Sequence, residues 1–273
     1  MIGRRLVNGV EGAGISADDR GLQYGDGLFE TMCASNGKVL RLELHLARLA
    51  EGCHRLGMPM PATDLIESDC ARVLEGLGAA VVKLIVTRGP GPRGYPPPLD
   101  ASVTRIVNST AQQVSEAEAA RPINVRICET RLGRNARLAG IKHLNRLEQV
   151  LAGAELREPA VDEGLMRSTD DRLVSGTAAN VFMVRKGRVL TPQISDCGVS
   201  GVMRELVLRT AARAGIEVEV GDFTLADLER ADEVFLTNAV RGIRPVGCVE
   251  NLKTFVPGPV IARLREALEV QSQ

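Results

Sequence analysis

The chain of 273 residues has no CxxC pair, no HxxxH spacing, no surplus of charge and no apolar run of membrane-spanning length. Each absence excludes something. Its six cysteines (Cys33, Cys53, Cys70, Cys128, Cys197 and Cys248) are scattered, which excludes a zinc cage or a disulfide framework and fits a reducing compartment. His45, His54 and His143 share no ligand spacing, so no metal site is expected. Lysine plus arginine and aspartate plus glutamate number 34 each. A formal charge of zero argues against nucleic-acid backbone binding as the main task. The opening "MIGRRLVNGVEGAG" has neither an apolar core nor a small-residue cleavage site, so the expectation is a cytoplasmic protein with no membrane partner.

What the chain does contain is a mixture of helix and strand signals. "LRLELHLARLAEGCHRLGM" repeats Leu42, Leu46, Leu49, Cys53 and Leu56 at steps of four and three, the stripe of an amphipathic helix, with Gly57 as its stop. "DLIESDCARVLEGLG" predicts a second helix. "AAVVKLIVTRG" and "VTRIVNST" predict paired strands around the turn-rich "GPGPRGYPPP". A polar, alanine-rich stretch then reads as a linker over 113–122, dividing a smaller α/β domain (1–112) from a larger one (123–273). In the second half "INVRICET" predicts a strand. "HLNRLEQVLAGAELRE" predicts a helix with Leu144, Leu147, Leu151 and Ala154 on one side. "ANVFMVRKGRVLTP" predicts a hairpin turning at Lys186 and Gly187, and "GVMRELVLRTAARAG" a helix opened by a glycine. The fold class is an α+β or α/β protein of two domains.

Several residue groups suit chemistry. Lys142 stands between Ile141 and His143, at the start of the predicted helix. It is either a solvated helix-entry charge or a desolvated amine able to act as nucleophile or base. Gly198 and Gly201 precede a helix whose N-terminal amides suit a phosphate, although a glycine there is also a common cap. Arg48, on the flank of the first helix's stripe, either faces solvent or clamps a phosphate. Arg88 and Arg93, in "TRGPGPRGY", are ordinary turn arginines or guanidinium forks offered to a carboxylate. Arg131, Arg134 and Arg137 add an anion-friendly neighbourhood just before Lys142.

Taken together these stretches resemble the fold-type IV pyridoxal-phosphate enzymes. "DRGLQYGDGLFETM" resembles the N-terminal signature and "HLARL" the segment with the phosphate arginine. "SGTAANVF", "GVSGVMR" and "DEVFLTNAVRGIRPV" resemble the cofactor-cradling segments shared with branched-chain and D-amino acid aminotransferases. "RGPGPRGY" and "LAGIKHLNRLEQVL" are similar to the aminodeoxychorismate lyase branch. The resemblance implies two domains with pyridoxal 5'-phosphate at their interface, in a homodimer. Lys142 would be the Schiff-base lysine and proton shuttle. Arg48, Gly201, Val202, Met203, Asn238, Ala239 and Ser175 would hold the cofactor, and Arg88, Arg93 and Tyr24 the substrate. The implied reaction converts aminodeoxychorismate to 4-aminobenzoate and pyruvate on the route to folate.

One departure bears on the activity. Many members of this fold carry a glutamate, paired with the cofactor's pyridine nitrogen, where this chain has Ser175. A hydroxyl cannot stabilise a pyridinium as a carboxylate does. Transamination, which depends on a stabilised carbanion, would suffer more than an elimination driven by aromatisation. The alternatives are an aminotransferase for D- or branched-chain amino acids, and a non-catalytic binding protein that kept the fold.

Overall fold

The computed structural model describes residues 2–112, 121–157 and 160–270. The predicted linker, apart from residues 121 and 122, lies outside the described residues. The chain divides into two compact units, one of Met1–Gln113 with Ile141–Asn145, the other of Val114–Gly140 with Arg146–Gln273. Residues 141–145, expected with the second half, thus cluster with the first.

The first unit is built on six antiparallel strands: β1 (Ile2–Val7), β2 (Val10–Glu11), β3 (Gly27–Ser35), β4 (Lys38–Val39), β5 (Ala79–Thr87) and β6 (Thr104–Ala111), in the order β2-β1-β6-β5-β3-β4. Strand alternation sorts their side chains. Leu28, Met32 and Ala34 of β3 and Ala80, Val82, Leu84 and Val86 of β5 point to one face and are buried. Helices α2 (Leu42–Leu56) and α3 (Thr63–Leu74) cover that face with Leu49, Cys53, Ile66, Cys70 and Val73. Each such burial contributes roughly 1.5–3 kcal/mol. Gly57 ends α2 in the left-handed conformation, as predicted. The opposite face carries Phe29, Thr31 and Ile85, half-buried, and Lys83, exposed.

Before β3 lies a short helix, α1 (Arg20–Tyr24). Three close approaches explain the glycines of this motif. A Cβ on Gly21 would meet Thr87 Cγ2 at 2.2 Å, one on Gly25 would meet Asn145, and one on Gly27 would lie 2.5 Å from the Val86 carbonyl oxygen. The last two admit a neighbouring segment. Residues 142–144 run antiparallel beside β3: Phe29 N–H donates to the Lys142 carbonyl at 3.0 Å and Leu144 N–H to the Gly27 carbonyl at 2.9 Å.

This pairing corrects the helix expected from His143. The helix, α4 (Leu147–Ala154), begins four residues later, because the backbone groups ahead of it are already spent on a strand edge. Its stripe also faces outward. Leu147, Val150 and Leu151 are all exposed, whereas Ala152 is buried.

The second unit holds nine strands: β7 (Ile123–Leu132), β8 (Glu163–Ser168), β9 (Leu173–Gly176), β10 (Asn180–Arg185), β11 (Arg188–Pro192), β12 (Val218–Gly221), β13 (Glu233–Asn238), β14 (Gly242–Val249) and β15 (Lys253–Thr254). The order is β12-β11-β10-β13-β14-β7-β8-β9, with β15 on β14 and a mixture of parallel and antiparallel pairs. The predicted hairpin turn is present, with Lys186 and Gly187 both left-handed. Helices α5 (Val202–Arg213) and α7 (Pro259–Val270) pack on one face, where Val207, Ile261 and Leu264 join Phe182 and Phe235. Those two phenylalanines pair in register across β10 and β13, and their rings stack at 4.8 Å. Helix α6 (Leu225–Glu229) places Leu228 on the other face, beside Val181 and Leu236. Among the described residues no helix is long and apolar enough to cross a membrane.

Candidate functional site

Strand register sets the surroundings of Lys142. Lying opposite Phe29, it shares that residue's face of the sheet, and its Nζ stands 4.2 Å from the Phe29 ring centroid. Its side chain is half-buried, not the fully solvated charge of the plain reading.

Arg48 does not face solvent either. It donates from Nε to Glu30 Oε1 at 2.8 Å and from Nη2 to Oε2. His45 Nδ1 lies 2.6 Å from the same carboxylate. Glu30 is the residue after Phe29 and points to the helix-covered face, where it is 1% exposed. Burial alone would raise its pKa, but hydrogen bonds and charge from His45 and Arg48 outweigh that and hold it below the ordinary value. With the carboxylate ionised, His45 Nδ1 must be the donor. A buried ion therefore fixes the planar fork of Arg48 in place.

The loop bearing Arg93 is tied down by a residue that sequence reasoning passed over. Arg20, buried, donates to the carbonyls of Gly94 and Tyr95, each at 2.8 Å, and to Asp26 at 2.9 Å. Tyr24 accepts the Gly94 N–H through its hydroxyl and packs edge-on against Tyr95. Tyr24 and Arg93 thus belong to one assembly, and Arg93 is exposed at its rim. Arg88 departs from the expectation of a fork held out to a carboxylate. It is 4% exposed and donates to both oxygens of Asp26 and to the carbonyls of Leu56 and Gly57. Its charge serves the scaffold. Arg131 and Arg134 are likewise paired, with Asp171 and with Asp170 and Asp196, so the anion-friendly field read before Lys142 is largely neutralised.

In the second unit the expected cofactor residues gather around Asn180. This residue is buried, and its amide donates to the Val199 carbonyl at 2.9 Å. A Cβ on Gly201 would come within 2.0 Å of its Oδ1, so only glycine fits there. Gly201 opens α5, and no side chain caps that helix. The amides of Val202 and Met203 are thus in the terminal positions that lack intrahelical partners, where the helix dipole favours an anion. Across the sheet Asn180 pairs with Thr237, whose buried hydroxyl has no hydrogen-bond partner among the described residues. The Asn238–Ala239 turn follows, and the Asn238 side chain accepts from Val240 N and Arg241 N. Ser175 lies on β9 and is buried; its hydroxyl donates to the Gly176 carbonyl at 2.8 Å. Cys197, near the turn, is inert: burial, then the charge of Asp196, pushes its thiol up to about 12.

Glu30, Arg20 and Asp26 were missed. Their one signal was the placing of charged residues of both signs among the glycines of "DRGLQYGDGLFE".

Comparison with known proteins places this geometry among relatives. The family model for amino-transferase class IV matches residues 27–248. The aminodeoxychorismate lyase of Vibrio harveyi is 35% identical over 263 residues, covering 95% of this chain and 97% of that protein. A putative branched-chain-amino-acid aminotransferase of Methanocaldococcus jannaschii is 33% identical, covering 93% and 90%. Among solved structures, the 4-amino-4-deoxychorismate lyase of Pseudomonas aeruginosa superposes with a TM-score of 0.92 at 41% identity, covering 97% of this chain and 98% of that one.

The Glu30 arrangement predicts an acid limb of stability. The folded-state pKa is depressed, so the contribution is complete above the unfolded value, about 4.3, and is lost as pH falls through the folded one. Glu30→Gln leaves the buried Arg48 guanidinium without its carboxylate and should cost about 3–5 kcal/mol at pH 7. Denaturant midpoints measured from pH 7 to pH 3 should converge between variant and parent as pH falls. A constant gap would contradict the assignment.

Proposed function

The chain belongs to the amino-transferase class IV family, and we propose that within it this protein is a pyridoxal-phosphate-dependent lyase that converts 4-amino-4-deoxychorismate to 4-aminobenzoate and pyruvate. The observation that carries the proposal is the segment "LAGIKHLNRLEQVL", whose residues 142–144 are held along β3 so that Lys142 faces the half-open side of the sheet.

The residues present fit the cofactor. Lys142 would be its Schiff-base partner. In the second unit, the start of α5 at Gly201, Val202 and Met203, the Asn238–Ala239 turn and the Thr237 hydroxyl, unpartnered among the described residues, are groups suited to its phosphate. In the first unit Arg48, anchored by Glu30, would add positive charge. Ser175, with its proton given to Gly176, has only lone pairs left for the pyridine nitrogen. When bound, pyridoxal phosphate supplies a carbonyl that takes up an amine and a ring that accepts electron density.

Lys142, neutral, would be the base for the proton on the amine-bearing ring carbon. As that proton leaves, the ether C–O bond to the enolpyruvyl group breaks and the ring becomes aromatic. Lys142 then returns a proton to the methylene carbon of the departing group, completing pyruvate. No oxidant or acceptor is needed. The neutral Ser175 leaves a weaker electron sink, which aromatisation tolerates and transamination does not. Arg93, exposed on its clamped loop, is the arginine we assign to a substrate carboxylate; Arg88 is not available for that role.

We further assign the reaction to the cytoplasm, on the route to folate, and propose a homodimer with a smaller domain, 1–112, and a cofactor-binding domain, 123–273, of which residues 141–145 cluster with the smaller one. The exposed Leu147, Val150 and Leu151 on α4 support the dimer, since an outward apolar helix face calls for a partner surface.

Incubation with 4-amino-4-deoxychorismate should yield 4-aminobenzoate and pyruvate in equal amounts with no 2-oxo acid acceptor. Lys142→Ala should lower that rate by at least about 10³-fold while keeping the parent's unfolding midpoint. Product that forms only with an amino donor and an acceptor would establish an aminotransferase instead. For the dimer, light scattering should report twice the chain mass for the parent and the single-chain mass for Leu147→Glu/Leu151→Glu. A monomeric parent would sink the dimer.

A further inference from the structure

Phe29 carries two amines, not one. Lys142 Nζ is 4.2 Å from its ring centroid, and Lys83 Nζ is 5.3 Å from the same point. The two nitrogens can therefore be no farther apart than the sum of those distances. Neither approach is accidental, because backbone register dictates both. Lys142 lies opposite Phe29 on the free edge of β3. Lys83, on β5, lies opposite Thr31, the next residue of β3 on the same face. Side chains diagonal across an antiparallel pair remain within reach when one is long.

The surroundings of Lys83 are those of a binding group. It is exposed, and no carboxylate or carbonyl engages its ammonium among the described residues. The faces of Phe29 and Ile85 form an apolar floor beside it, and Thr31 and Asn108 flank it in register on β3 and β6. Arg5, two strands away on the same face, is exposed as well, but the arginines packed inside this unit differ. Arg20, Arg48, Arg88 and Arg105 are all buried or part-buried and paired with Asp26, Glu30 or Asp69. Lys83 has three donors on a flexible stem and keeps them over the ring that Lys142 also faces.

The geometry points to Lys83 as a carboxylate-binding residue for the substrate on which Lys142 acts. The inference rests on the lyase reading, whose substrate is a dicarboxylate. Lys142 performs the proton transfers and must be neutral when it acts as base. Lys83 stays a fixed cation on the same face, holding one carboxylate so that the amine-bearing carbon is presented to Lys142. Arg93 is left for the other. The products divide the substrate's acids between them: 4-aminobenzoate keeps the ring carboxylate and pyruvate the side-chain one. Product inhibition can therefore tell which of the two Lys83 holds.

The test compares the parent, Lys83→Met and Lys83→Arg as holoenzymes, with the amounts of 4-aminobenzoate and pyruvate as readouts. In Lys83→Met, KM for 4-amino-4-deoxychorismate should rise about tenfold to a hundredfold, the loss expected for one charge-assisted hydrogen bond, with kcat changed less than about threefold. Lys83→Arg should recover most of that loss, which a packing role would not predict. Cofactor absorbance and unfolding midpoint should match the parent in both variants. Inhibition by 4-aminobenzoate, or by pyruvate, should weaken in Lys83→Met for whichever product carries the bound carboxylate. Unchanged KM and unchanged inhibition by both products, in an active parent, would overturn the assignment. So would a fall in kcat without a change in KM. A parent that forms no 4-aminobenzoate would instead overturn the lyase reading.

Discussion

The arrangement of the candidate site depends on a pair of backbone hydrogen bonds, from Phe29 N–H to the Lys142 carbonyl and from Leu144 N–H to the Gly27 carbonyl. They convert a segment with helical periodicity into an added strand. Because side chains alternate along a strand, a shift of one residue would turn Lys142 to the helix-covered face. Gly27 makes the pairing possible, since a Cβ there would meet both the Val86 carbonyl and the Leu144 side chain. The glycines of the N-terminal motif therefore bear on the chemistry, even though none contributes a reactive atom.

A similar economy governs the second unit. Asn180 supports the turn before α5 through the Val199 carbonyl, pairs across the sheet with Thr237, and leaves room for nothing larger than Gly201. One side chain thus registers a helix N-terminus against a strand end. Around both sites the charged groups are mostly committed. Glu30 holds Arg48 and His45, Asp26 holds Arg20 and Arg88, and Asp196 holds Arg134 and Arg172. Against that background, among the described residues, the ammonium of Lys83 and the guanidinium of Arg93 are unspent, as is the exposed Arg5 two strands away from Lys83 on the same sheet face.

Local pattern foretold what local physics decides. The stripe of α2 and its Gly57 stop, the Lys186–Gly187 hairpin and the glycine start of α5 all follow from periodicity and turn chemistry. The start of α4 did not, because Leu144, Leu147 and Leu151 keep helical spacing whether or not the helix forms, and a sheet edge supplied from more than a hundred residues away decided the matter. Among candidate site residues, Lys142, Arg48 and Gly201 were singled out through motifs. Arg88 looked like a turn arginine because its partner, Asp26, is 62 residues distant. Lys83 looked like an ordinary strand lysine, since only strand register reveals the ring it shares with Lys142.

Two lysines over one phenylalanine make the division of labour between them the central claim. Borohydride reduction of the pyridoxal-phosphate-loaded protein, followed by peptide mass mapping, tests it directly. The account predicts a single reduced adduct, on the peptide containing Lys142, with Lys83 unmodified. An adduct on Lys83, or none on Lys142, would contradict it.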